Sequence, residues 1–227
     1  MSKVKVLGIS GSPRGADGYS DKLMRQLLAH VLEFSGEPEL LRLAEKKMLV
    51  CEGCYSKTRS GRKCTFPCIH DGQDDTSEVL NKIIQADAIA ISSPIYWAAV
   101  SASVKSLVEK MTAIENNARK ITRKIGREPL LGKPFVLLSS QETEGASLAL
   151  SQMAWTLNHM GMMLLPQGLI FKPNIIDSHL VRAGLTIVGL LRYRWVDYAV
   201  RLAARNLVLV AGKTKSLPFD DYALRRF

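Results

Sequence analysis

The 227-residue chain contains no run of 18 or more apolar residues, so no membrane-spanning helix is expected. Residues 183–191 form a late apolar run, but it is flanked by Arg182 and Arg192 and suits a buried element better than a span. The first residues lack an apolar segment followed by a secretory cleavage site, which places the expected residence in the cytoplasm. No spaced Gly-x-Gly-x-x-Gly occurs, and the Gly-rich loop at 10–20 lacks a Gly-Lys-Ser/Thr end, which argues against the dinucleotide fingerprint and a Walker A loop there. Zinc-finger, RNP and basic-zipper patterns are absent too, so the charge of the chain does not point to nucleic acid. Cysteine is scarce: Cys51, Cys54, Cys64 and Cys68 are all there are, and they fall within one short segment. In a cytosolic chain such crowding indicates a metal or redox site rather than disulfides.

Acidic residues are outnumbered, 21 Asp and Glu against 31 Lys and Arg, for a formal charge of +10. The excess concentrates at residues 119–133 and 180–227. A solvated basic face is the simplest reading, and attraction of an NADPH phosphate to 119–133 is a second. No internal repeat, low-complexity tract or domain boundary interrupts the chain. A single domain over 1–227 is expected, with a cysteine-rich insertion at 51–73 and a basic C-terminal extension at 172–227.

What the sequence does have is alternation. Short, nearly continuous apolar runs at 4–9, 39–43, 88–92, 134–139 and 163–170 read as buried strands. Between them, 21–34, 77–85, 102–115 and 146–160 repeat apolar residues at helical spacing, and 192–208 reads as a closing helix. Ser20 is the expected N-cap of the first helix, and Ser93-Pro94 the expected stop of the third strand. Strands buried on both faces and alternating with helices imply a doubly wound, five-stranded parallel α/β sheet. Ligands of such sheets sit outside the carboxyl ends of the strands.

Three loops occupy that edge. Residues 10–20, Ser-Gly-Ser-Pro-Arg-Gly-Ala-Asp-Gly-Tyr-Ser, offer hydroxyls, an arginine fork and backbone N–H groups at a helix start, a combination suited to phosphate. Residues 93–97, Ser-Pro-Ile-Tyr-Trp, supply flat apolar walls of the kind a ring cofactor needs. Residues 139–145, Ser-Ser-Gln-Glu-Thr-Glu-Gly, form a polar turn. The competing readings are an ordinary capped turn for the first loop and core aromatics for the second.

The runs Val6-Leu-Gly-Ile-Ser-Gly-Ser-Pro-Arg14, Asp74-Asp75, Ala86-Asp-Ala-Ile-Ala-Ile-Ser-Ser-Pro-Ile-Tyr96 and Val100-Ser-Ala-Ser-Val-Lys105 resemble the NADPH-dependent FMN reductase superfamily, in particular its iron–sulfur flavoproteins and multimeric flavodoxins. The resemblance spans about residues 4–170. It implies a flavodoxin-like fold, FMN, NAD(P)H as reductant, a small acceptor such as a quinone or flavin, and a homodimer or homotetramer. By position it puts Ser10, Ser12, Arg14, Gly18, Tyr19 and Ser20 around the FMN phosphate, and Pro94, Ile95, Tyr96 and Trp97 beside the ring. Ser139, Ser140, Gln141 and Gly145 complete the implied flavin site. No acid–base dyad is needed, because the cofactor carries the redox chemistry.

The cysteine spacing, Cys-x2-Cys-x9-Cys-x3-Cys, supplies the four thiolates of a [4Fe–4S] cluster or a structural zinc, and free thiols are the third reading. Iron–sulfur flavoproteins resemble this segment with a more compact motif. His70 is a candidate substitute ligand. Three functions therefore stand: an FMN-dependent NAD(P)H oxidoreductase, an FMN and iron–sulfur carrier relaying electrons between redox proteins, and a non-redox binding module on the same fold.

Overall fold

The computed structural model describes residues 3–55, 63–141, 145–173 and 186–215. Five parallel strands form the sheet: β1 (Lys5–Ser10), β2 (Glu37–Arg42), β3 (Ala88–Tyr96), β5 (Pro134–Gln141) and β6 (Met163–Pro173). A sixth, β4 (Ala99–Val100), folds back antiparallel on the end of β3. The order β2-β1-β3-β5-β6 reverses direction between β1 and β3, the crevice where doubly wound sheets hold ligands.

Alternation along each strand sorts its side chains to two faces. On one face Leu7, Ile9, Ile89, Ile91, Phe135 and Leu137 pack against α2 (Thr76–Gln85), α3 (Ala102–Asn116) and α5 (Ala146–His159). On the other, Val6, Ala88, Ala90, Val136 and Leu138 meet α1 (Tyr19–Glu33) and α6 (Thr186–Thr214). Small residues on this second face let α1 approach closely: a Cβ at Gly8 would fall 2.6 Å from Met24 Sδ. Of the 172–227 extension, residues 174–185 and 216–227 lie outside the described residues.

Three local expectations change. The first helix begins at Tyr19 with Gly18 as its cap, so Ser20 is inside it and its hydroxyl turns elsewhere. Strand β3 runs through Pro94 to Tyr96. A proline is tolerated at a strand's end, where pairing gives way to a hairpin: here Ile95 faces Val100 and Tyr96 faces Ala99. The basic segment, expected only to precede a strand, forms α4 (Ala118–Ile125), closed by Gly126 at φ 76°. Ala118 and Ile121 are its buried side. Helix α3 starts at the carboxyl edge of the sheet and its 15 residues cover roughly 22 Å at the helical rise, so α4 sits at the opposite edge, away from the cleft.

At that amino edge Lys133 is buried and donates to the carbonyls of Ile83 and Ile84, in the last turn of α2. It satisfies carbonyls the helix leaves open. Burial, with help from the Arg127 charge, pushes its ammonium down to about 7. An unfolded lysine keeps its proton to about 10.4. Between those values the unfolded chain binds the extra proton, so Lys133 makes stability rise with pH over that window. Urea unfolding of Lys133→Met and the parent at pH 7 and pH 10 checks this: the parent is expected to gain stability relative to the variant as pH rises, and a constant difference overturns it.

Candidate functional site

The carboxyl edge is built from short polar residues because the strands end there and the apolar layers thin out. Gly11 is the pivot of the first loop. Its N–H donates to Ser92 O at 2.8 Å, and its carbonyl accepts from Ser101 Oγ at 2.8 Å. A Cβ on Gly11 would stand 2.1 Å from Val104 Cγ2, so no larger residue fits. The loop is thereby fastened to β3 and to the start of α3 at once.

From Gly11 the chain rises through Ser12, which is buried and whose Oγ accepts from the Arg14 N–H at 3.3 Å. A short 3-10 turn at Gly15–Asp17 then delivers Gly18 to the head of α1. Gly18 is in ordinary extended conformation, so its lack of a side chain is a matter of space: a Cβ would lie 1.8 Å from Ser12 Oγ. No side chain caps α1, which leaves the first N–H groups of the helix facing this turn. The Arg14 side chain is exposed above it, and Tyr19 is half-buried with the Lys22 ammonium over its ring at 5.3 Å. N–H groups of the first helical turn, a hydroxyl and a positive helix end in one concavity suit an anion.

Buried hydroxyls close the strand ends, Ser10 and Ser92 in register on the α1 face of the sheet and Ser139 on the opposite face. Ser10, Ser92 and Ser139 are fully buried, and their Oγ atoms have no hydrogen-bond partner among the described residues. Buried polar groups are rarely left so. Ser20 and Ser140 pair with each other at 2.7 Å, tying α1 to the end of β5. Ser93 Oγ accepts from the Ser101 N–H and donates to Pro94 O, which sets the path of the second loop. Ser92, Ser93 and Ser101 were not foreseen as site residues, although Ser-Ser at the end of an apolar strand is the signal for them.

The second loop leaves Pro94 buried, Ile95 half-buried, Tyr96 exposed and Trp97 fully exposed. Trp97 and Ala98 have φ of 52° and 57°, a two-residue hairpin turn with both centres left-handed. For residues with a Cβ this costs on the order of 1–2 kcal/mol each. The third loop touches it: a Cβ on Gly145, itself at φ 99°, would meet Ala98 Cα at 2.7 Å. Gln141 ends β5, and residues 142–144 lie outside the described residues.

Asp21 supports this arrangement from below. It is fully buried, with Arg25 Nε on one oxygen at 3.0 Å and Arg42 Nε on the other at 2.9 Å. Arg25 also donates to Ala16 O, the middle of the first loop's turn, at 3.0 Å. The hydrogen bond to Asp21 holds the Arg42 guanidinium above its ordinary value.

The four cysteines are free and line one cavity of about 20 Å³, against α3. Cys51 Sγ donates to Glu109 O at 3.9 Å. Burial, then the charge of Glu52 and the neighbouring sulfurs, pushes the Cys54 thiol up. Burial also pushes Cys64 up, against a hydrogen bond from Asn116. The donor set has the number and softness of a four-thiolate metal site. Among the described residues, however, no three metal-ligating side chains stand in binding geometry. His70 is not a spare surface ligand but a buried one: its Nδ1 accepts from Lys110 Nζ at 3.0 Å and its Nε2 donates to Glu52 at 3.0 Å. Lys110 is itself buried and 3.4 Å from Asp74, whose carboxyl feels burial but is brought below its ordinary value by the N–H groups of Leu49 and Thr76. Lys110 falls on the apolar stripe of α3, one turn from Leu107 and Ile114, and that misplacement is its trace in the sequence.

A doubly wound parallel sheet with a switch-point crevice and an anion cradle at a helix head defines a flavodoxin-like protein. The chain belongs to the NADPH-dependent FMN reductase family, whose model matches residues 4–175. An iron–sulfur flavoprotein of Methanocaldococcus jannaschii is 40% identical over 107 residues, 47% of this chain and 51% of that one. One of Archaeoglobus fulgidus is 26% identical over 219 residues, 94% of this chain and 98% of the relative. The match thus spans about half of the first relative and nearly all of the second. Among solved structures, RosB with bound 8-demethyl-8-formylriboflavin-5′-phosphate superposes with a TM-score of 0.70 at 16% identity, covering 95% of this chain and 82% of that one. An apo NADH:FMN oxidoreductase gives 0.55 at 17% identity, covering 95% and 92%. Both show the shared fold.

Replacing Asp21 by Asn removes the charge that aims Arg25 at Ala16. FMN affinity, read by flavin fluorescence quenching, is expected to fall about tenfold, equivalent to about 1.4 kcal/mol, with the circular dichroism of the fold retained. Unchanged affinity in Asp21→Asn shows that the pair is structural only.

Proposed function

We infer that the protein is an FMN-dependent oxidoreductase that is reduced by NAD(P)H and reduces a small acceptor such as a quinone or a second flavin. The observation that carries this is the uncapped head of α1 facing a tightly anchored loop at the switch-point crevice, beside an exposed aromatic hairpin. Ser10, Ser12, Ser20 and Arg14, with the N–H groups of the first turn of α1, bind the phosphate in this reading. FMN supplies the electron-accepting ring when bound. Tyr96 and Trp97 wall one side of that ring, with Pro94 and Ile95 beneath them, and Ser139, Ser140, Gln141 and Gly145 complete the site in this reading. The strained hairpin holds Tyr96 and Trp97 out of the core, so that aromatic surface is ready for a flat ligand without rearrangement. No side chain in the cleft is assigned a proton-transfer role.

Anaerobic purification with an absorption spectrum is the test. Flavin bands that disappear with Gly18→Ala, while thermal stability holds, support the cradle, because the added methyl displaces Ser12 Oγ. A colourless protein that ignores added FMN overturns the reading. Steady-state rates with NADH and NADPH, each with a quinone, then define the reductant.

The convergence of four thiols on one cavity beside the buried Lys110 cation favours a second, compatible reading. Cys51, Cys54, Cys64 and Cys68 would hold an anionic [4Fe–4S] cluster, which supplies one-electron chemistry, and the protein would pass electrons between redox partners. Roughly four irons per chain are expected if so. Flavin without iron leaves a plain reductase with zinc or free thiols.

The exposed face of α5 supports self-association of this protein as a dimer or tetramer. Leu148 and Trp155 are 65% and 69% exposed there, two helical turns apart on one side, and Trp155 stacks on His159 at 5.3 Å. Light scattering of Trp155→Glu is expected to show a smaller species than the parent; identical masses place the interface elsewhere.

A further inference from the structure

The Lys110 side chain is 1% exposed and lies among the apolar residues of α3. A buried ammonium is costly unless its N–H groups are bonded, and it has three of them. One goes to His70 Nδ1 at 3.0 Å. An ammonium only donates, so Nδ1 accepts, and Nε2 carries the ring proton to Glu52 at 3.0 Å. Both nitrogens of His70 are thereby engaged, and neither is left for a metal. A second N–H reaches Asp74 Oδ2 at 3.4 Å. That contact is long, and the oxygen already accepts from the Leu49 N–H and the Thr76 hydroxyl at 2.8 Å each. The third N–H of Lys110 has no acceptor among the described residues.

What remains beside Lys110 is sulfur. It lines the same cavity as Cys51, Cys54, Cys64 and Cys68, and Cys51 Sγ donates to the carbonyl of Glu109, the residue before Lys110. A neutral thiol is a weak acceptor. A metal thiolate is electron-rich, and hydrogen bonds to its ligands tune affinity and potential. We propose that Lys110 donates its third N–H to a sulfur of a metal–thiolate centre held by the four cysteines, and that His70 and Asp74 hold the ammonium in place to do so. This role rests on the metal-binding reading of the cysteines and adds to it the residue that suits the cavity to an anionic centre. A cluster and a single ion share the chemistry, because each presents cysteine sulfur to the cavity wall.

Two anaerobic loadings of the full chain test this: cobalt(II) alone, which gives a single-ion centre, and ferrous iron with sulfide, which gives a cluster. Spectra are taken as differences against the same chain without metal. Cobalt affinity, read against a competing chelator, is expected to fall about tenfold or more in Lys110→Met, the loss that follows removal of a hydrogen bond to a metal ligand. The thiolate-to-cobalt absorption band is expected to move to lower energy, because a sulfur that loses an N–H gives up its electrons more easily. In the iron-loaded chain the reduction potential is expected to become more negative, since the reduced centre carries more negative charge and has lost a cation. Should Lys110→Met lose the fold by circular dichroism, Lys110→Gln is read in the same way; its amide keeps an N–H for His70 Nδ1 and carries no charge. Equal affinity and an unmoved band overturn the role of Lys110 and leave a water in the cavity as its acceptor. Lower affinity with an unmoved band and potential also overturns it, because a packing defect alone produces that. Uptake of either centre by the parent suffices for the comparison. A parent that takes up neither overturns the metal-binding reading itself, and the role of Lys110 with it.

Discussion

Gly11 is gripped from two directions, its N–H by Ser92 of β3 and its carbonyl by Ser101 at the start of α3. Every other feature of the carboxyl edge follows from that pair of hydrogen bonds. They press the first loop down onto the sheet, which is why Val104 leaves no room for a Cβ and why Gly18 must face Ser12 bare. The same serine that holds Gly11 receives help from Ser93, whose hydroxyl also steers Pro94 into the second loop. Two loops far apart in sequence thus share one set of anchors, and the crevice between β1 and β3 keeps a fixed width.

The strong periodic elements were readable from the residues alone. Strand runs such as 88–92 and helical stripes such as Val104, Leu107, Val108 and Met111 need no tertiary information to declare themselves. What was hidden depended on partners distant in the chain. Ser20 looks like a helix cap until Ser140, 120 residues away, takes its hydroxyl. Pro94 looks like a strand terminator until β4 folds back beside it. The short helix α4 buries only Ala118 and Ile121 among a crowd of cations, too few apolar positions to stand out from a basic loop. The loop motifs pointed correctly to the carboxyl edge, whereas the buried carboxylate of Asp21 and the hydroxyls of Ser92 and Ser101 become visible only once the strands are side by side.

The cysteine segment is organised by charges that the core would ordinarily refuse. Asp74 and Lys110 are buried together, and His70 extends the contact to Glu52 at the surface. Asp74 spends its remaining acceptor capacity on Leu49 N–H and on the first turn of α2, so one carboxylate sets the entrance to the segment and the start of a helix. At the exit side, Asn117 donates to Cys64 O and Lys120 to Phe66 O. Ion pairs in an apolar setting contribute little net stability, but they allow few alternative arrangements of the chain. The segment that carries four thiols is therefore framed by directional bonds at several points rather than by apolar contacts alone.

The left-handed turn at Trp97 and Ala98 rests against Gly145, with no space for even a methyl group between them. The aromatic rim and the head of α5 consequently behave as one mechanical part. Altering the breadth of the cleft by a change in either loop alone meets a steric stop at the other, so new ligand shapes become accessible to this scaffold through paired substitutions.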